Sequence, residues 1–230
     1  MDTAGILARL ETLSRPGALE GMSRFAIETD KAYGVWIPDL RALAKELGRD
    51  HDLAQELWRI DCRETRILAA MVGEPARVNE ALMEAWVICF RDWEVCDQCC
   101  MNLFEKTGLA WKKALDWSCR PEEFVKRAGF VLMARLAVSH KTAADERFEV
   151  FFPAMVREAC DSRNFVKKAV NWSLRQIGKR NMNLNSRAVE TAREIQALGD
   201  KTANWIAADA LRELTDEKVR QRMAARRRTK

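Results

Sequence analysis

Glycine and proline are scarce, at ten and five residues in a chain of 230. Long stretches therefore run without a turn former, and none alternates apolar and polar residues as a half-buried strand would. Only two histidines are present, His51 and His140. Neither has metal-ligand spacing or a nucleophile beside it, and no glycine-rich loop is present to cradle a phosphate. A Ser–His–Asp-like triad would have to be assembled by folding, since no segment carries one. No apolar run is long enough to span a bilayer and no signal peptide opens the chain, so no membrane association is expected. Seven cysteines make an odd set without disulfide-like spacing, which fits a reducing, cytoplasmic compartment. Cys89, Cys96 and Cys99 do share the C-x6-C-x2-C spacing of iron–sulfur repair glycosylases. The next ligand would fall at Glu105, and no helix-hairpin-helix glycine turn is evident. Packing on a helix face is the expected role of this group, Cys100 included, with no metal or other cofactor.

What the chain does have is helix formers. Ala, Leu, Glu, Lys and Arg are abundant, and hydrophobic residues make up 48%, enough for one sizeable core without disulfides or metals. Helical periodicity predicts elements near 3–13, 20–29, 38–47, 51–59, 62–72, 75–90, 92–106, 109–118, 121–139, 145–160, 163–178, 184–198, 201–214 and 216–226. An internal repeat runs through them. Phe124-Val-Lys-Arg-Ala-Gly-Phe-Val-Leu-Met-Ala-Arg-Leu136 echoes Phe165-Val-Lys-Lys-Ala-Val-Asn-Trp-Ser-Leu-Arg-Gln-Ile177, 41 residues on. Asn204-Trp-Ile-Ala-Ala-Asp-Ala-Leu-Arg-Glu-Leu214 is a weaker third copy. Two helices per period of about 40 is the signature of HEAT-like arrays, whose units bury their apolar faces only by stacking. The expectation is an all-α solenoid, a single domain over 1–230, with a groove lined by the inner helices and a basic tail at 218–230. The net charge is +5 and the pI about 8.9. That balance is compatible with nucleic acid and equally with many enzymes.

Three stretches carry candidate chemistry. In 164–180, Val166, Val170, Leu174 and Ile177 share one helical face, while Lys168, Trp172, Arg175 and Lys179 recur on the opposite one. An indole among cations suits a surface that meets a polyanion; a Trp covering its neighbours' stems is the alternative. In 92–104, Trp93 and Asp97 lie four apart on one face, and an Asp among apolar neighbours needs a partner or a cationic ligand. Arg127 sits in a helix apolar nearly all round, so its guanidinium needs either a buried carboxylate or a phosphate oxygen.

Set in order, these pieces resemble the bacterial DNA alkylation repair glycosylases built from HEAT-like repeats. The resemblance runs from about Glu20 to Leu214. It includes Gly34-Val-Trp-Ile-Pro-Asp-Leu-Arg41 with Ala44-Lys45, Leu57-Trp58, Glu64 and Arg66. It continues through Trp93-x3-Asp97, Arg127, and Lys168-Ala-Val-Asn-Trp172-x2-Arg175. It implies a catalytic Asp97 with aromatic partners Trp93 and Trp172, and a phosphate contact at Arg127. Lys168, Arg175 and Lys179 would add further phosphate contacts in a basic groove. The implied function is hydrolysis of the N-glycosidic bond of N3- or N7-alkylated purines by a monomer acting on double-stranded DNA. A non-catalytic relative that binds branched or distorted DNA, and a protein-interaction scaffold, are the alternatives.

Overall fold

The computed structural model describes residues 1–227, and among these it is all-helical. The end of the basic tail expected at 218–230 lies outside the described residues. The chain divides into two compact units, residues 1–109 and Ala110 onward.

The first unit holds α1 (Thr3–Leu13), α2 (Ala18–Arg24), α3 (Ile37–Leu47), α4 (His51–Arg59), α5 (Arg63–Val72), α6 (Glu80–Val87) and α7 (Trp93–Asn102). α5 is its centre and packs against α3, α4 and α7. Nine of its ten residues are buried, and Arg66 alone is half-exposed. Two of the nine, Arg63 and Glu64, are charged, so they must find partners inside. Arg63 pairs with Glu64 and with Glu94 of α7, each at 2.7 Å. Glu64 also accepts backbone N–H bonds from Tyr33, Gly34 and Val35 at 2.9–3.1 Å. This network ties the segment before α3 to α5 and α7. Around it the core is aromatic, with Trp58 and Trp86 stacked at 4.0 Å.

The second unit holds α8 (Ala110–Ser118), α9 (Glu123–Ser139), α10 (Glu146–Glu149), α11 (Phe152–Arg157), α12 (Asn164–Gly178), α13 (Met182–Ala197), α14 (Lys201–Leu214) and α15 (Glu217–Arg227). α8 pairs with α9 and α13 with α14, while α12 packs on α9, α13 and α14. The internal repeat is physical: the equivalent rings of Phe124 and Phe165 lie 5.4 Å apart. Two glycines permit the close helix approaches. A Cβ on Gly129 would lie 2.5 Å from the Ser118 nitrogen, and one on Gly178 would lie 2.7 Å from the Leu214 side chain.

The predicted helices are found with four differences, one of them at 92–106, where α7 ends at Asn102 and a separate 3-10 turn, Phe104–Lys106, follows. The single helix expected at 75–90 is a 3-10 turn, Pro75–Arg77, followed by α6 with Asn79 as its N-cap. The one at 145–160 is broken into α10 and α11, because Pro153 lacks the N–H that a continuous helix would need there. The one at 20–29 is α2, which ends at Arg24 and buries no side chain. Gly178 closes α12 as its last residue, but Leu214 and Ala188 crowd it, and a positive φ plays no part.

Candidate nucleic-acid interface

α7 is capped at its N-terminus by Asp92, whose carboxylate accepts the N–H groups of Glu94 and Val95 at 2.8 and 2.9 Å. Burial pushes the Asp92 carboxyl up despite these bonds. Glu94, also raised by burial, is held by Arg63. From the second residue on, the helix turns nearly everything inward: Glu94, Val95, Cys96, Gln98, Cys99 and Cys100 are buried. The residues that remain half-exposed are Trp93, Asp97, Met101 and Asn102. The first three are spaced i, i+4, i+8 and so form one strip. The Trp93 indole is fixed there, donating from Nε1 to the Phe25 carbonyl at 2.8 Å. Sequence spacing therefore brings Trp93 and Asp97 together on an accessible face of the first unit.

The cysteines of α7 face the core. Cys96, Cys99 and Cys100 are fully buried, and burial pushes the Cys99 thiol well up, so it stays protonated at neutral pH. Cys89 donates to the Ala85 carbonyl at 3.3 Å. Among the described residues no three His, Cys, Asp or Glu side chains are gathered as a metal site.

In the second unit, α12 buries Val166, Val170, Leu174 and Ile177 as the periodicity requires. The opposite face carries Lys168, exposed, and Trp172, Arg175 and Lys179, half-exposed. Two of these cations have partners within the unit. Arg175 pairs with Asp209 at 2.9 Å and Glu213 at 3.1 Å, and Lys179 pairs with Glu213 at 2.7 Å. Two of the three cations in the basic stripe are thus neutralised by α14. Arg127 is buried, at 6% exposure, and its Nη1 donates to the Phe165 carbonyl of α12 at 2.8 Å. That acceptor is a backbone carbonyl, so at least one of the Arg127 contacts is made within the second unit. The neighbouring Lys126, part of the same Val-Lys-Arg-Ala stretch, is buried beside Glu158 and Asp161.

Residues 6–215 match the family described as DNA alkylation repair enzyme. The chain belongs to that DNA alkylation repair family. A solved structure described as a new family of proteins related to the HEAT-like repeat DNA glycosylases with affinity for branched DNA structures is similar to it, at a TM-score of 0.72. The similarity covers 84% of this chain and 83% of that one at 20% sequence identity. At that identity the likeness establishes the HEAT-like repeat fold. No curated protein matches significantly.

For this member of the DNA alkylation repair family, the sequence did not disclose the buried Arg63–Glu64–Glu94 network or the acidic partners on α14. A signal for the latter was present. Asp209 and Glu213 each stand 34 residues after the cation they meet, Arg175 and Lys179, close to one repeat length. A carboxylate 34 residues after a cation of α12 faces it from α14.

Proposed function

We propose that this chain is a monofunctional DNA glycosylase that hydrolyses the N-glycosidic bond of cationic N3- or N7-alkylated purines in duplex DNA. The observation that carries the reading is the strip on α7, where an otherwise inward-facing helix leaves Trp93 and Asp97 accessible on one face. Membership in the DNA alkylation repair family supports it.

The chemistry follows from charge. Alkylation at N3 or N7 makes the purine a cation, so it leaves as a neutral base and needs no strong general acid. Positive charge then builds on the deoxyribose as an oxocarbenium-like centre. Asp97 stabilises that charge and orients the water that attacks C1′. Trp93 offers an indole face to the same cation. Such a contact is worth on the order of 0.5–2 kcal/mol. No lysine is assigned to Schiff-base chemistry, so no lyase step follows. Lys168, exposed on α12, is the phosphate contact of that helix. Arg127 holds α12 through its backbone. A phosphate at Arg175 or Lys179 must compete with Asp209 and Glu213.

The test is base release from N3- and N7-methylated duplex DNA by the natural chain and by Asp97→Asn. Release should fall on the order of 10²–10³-fold in the variant, the scale of losing one electrostatic stabiliser of a transition state, with DNA affinity retained. Absence of release by the natural chain overturns the reading. A second reading, a non-catalytic binder of branched DNA, is favoured by the description of the solved structural relative. It requires tighter binding to a four-way junction than to a linear duplex, with no base released from either.

A further inference from the structure

The exposed side of α3 carries Arg41 and Lys45 four residues apart, and Arg49 follows directly after the helix ends at Gly48. With Ala44, Met71 of α5 and Asn102 of α7, these residues line an open cleft of about 330 Å3 within the first unit. No acidic residue lines it. Among the described residues, none of the three cations pairs with a carboxylate. Arg49 alone has a fixed partner, donating from Nη1 to the Gly73 carbonyl. A cation in the last turn of a helix is favoured by the helix dipole, which accounts for Lys45; the Gly73 carbonyl accounts for Arg49, and Arg41 is left without a structural reason.

The floor of the cleft, Ala44 and Met71, is apolar, while its rim is cationic. A sugar–phosphate strand has the complementary chemistry: an apolar sugar edge for the floor, and anionic oxygens for a guanidinium fork and an ammonium group. The cleft reaches the C-terminal end of α7 through Asn102, about 8 Å along the helix axis and roughly 140° around it from Asp97.

We propose that this cleft is a backbone-phosphate site for DNA, with Arg41 and Lys45 contacting the strand and Arg49 framing its far edge. The inference rests on the DNA-repair reading above and adds to it a specific grip in the first unit, which the cations of α12 do not provide.

The experiment measures affinity for a short methylated duplex across a salt series, comparing the natural chain with Arg41→Ala/Lys45→Ala. Each phosphate contact contributes about 0.9 to the slope of log K against log salt on duplex DNA. The double variant should therefore flatten the slope by about 2 with an unchanged melting temperature. Arg41→Gln/Lys45→Gln, which keeps more of the side-chain bulk, should give the same slope and guards against a folding artefact. Binding of inorganic pyrophosphate is measured in parallel. An unchanged slope in both variants overturns the site. So does loss of pyrophosphate binding with duplex binding intact, which would mark a pocket for small anions. If the natural chain binds no DNA, the reading under Proposed function fails as well. If it binds and the variants match it, only the cleft fails.

Discussion

Two helices carry basic residues four apart, α3 with Arg41 and Lys45 and α12 with Arg175 and Lys179, and in sequence they look alike. Their surroundings differ. α12 faces α14, whose Asp209 and Glu213 take up both charges. Around Arg41 and Lys45 the structure offers Ala44, Met71 and Asn102, and no carboxylate. Spacing places a cation on a face; the next helix decides whether the charge is used within the fold or remains for a ligand. A basic stripe with an aromatic in it is therefore weaker evidence for a nucleic-acid surface than a plainer basic pair without an acidic neighbour.

The comparison can be strained hardest where internal charge is most deeply committed. Arg63→Ala leaves Glu64 and Glu94 without their buried partner. Removal of one member of such a pair costs about 3–5 kcal/mol, so the melting temperature should fall by roughly 6–20 °C. A fall of only a degree or two would show that the network is dispensable. Next comes Arg175→Ala. Its pairs are partly exposed, so the stability loss should be about 0.2–1 kcal/mol. The salt slope of DNA binding should change much less than in Arg41→Ala. Equal slope changes in the two variants would erase the distinction between the helices.

The smallest effect concerns Asp92. Its carboxyl is raised above the ordinary 3.8 by burial, so the folded chain holds that proton more tightly than the unfolded one. Stability from this group is fully present below about pH 3.8 and is lost as pH rises through the folded pKa. Asp92→Asn keeps a good N-cap without the buried charge. Its melting temperature relative to the natural chain should therefore improve from pH 4 to pH 7, and a flat difference would count against burial as the dominant cause.

Much of the fold was legible because it rests on local signals. Asp50, Asn79, Asp92, Asn181 and Asp200 each cap the helix that follows, and apolar spacing located α9 and α12. The repeat in Phe124 and Phe165 was legible for the same reason. Trp93 and Asp97 sharing an accessible face followed from i, i+4 geometry. What escaped the sequence depends on contacts between elements far apart in the chain. The Phe165 carbonyl that accepts from Arg127 and the carboxylates that meet Arg175 and Lys179 lie 34 to 38 residues away. The segment at 145–160 shows helical periodicity throughout, and Pro153 decides against continuity.

The hydrogen bond from Trp93 to the Phe25 carbonyl has a dynamic consequence. That carbonyl closes the end of α2, a helix without a single buried side chain, and precedes Ala26, which holds a positive φ of 55°. Such a segment opens at a far lower free energy than the whole molecule. Each opening unlatches the indole while the Arg63–Glu64–Glu94 network stays shut, so amide exchange at Ser23 to Ile27 should keep time with the ring's release.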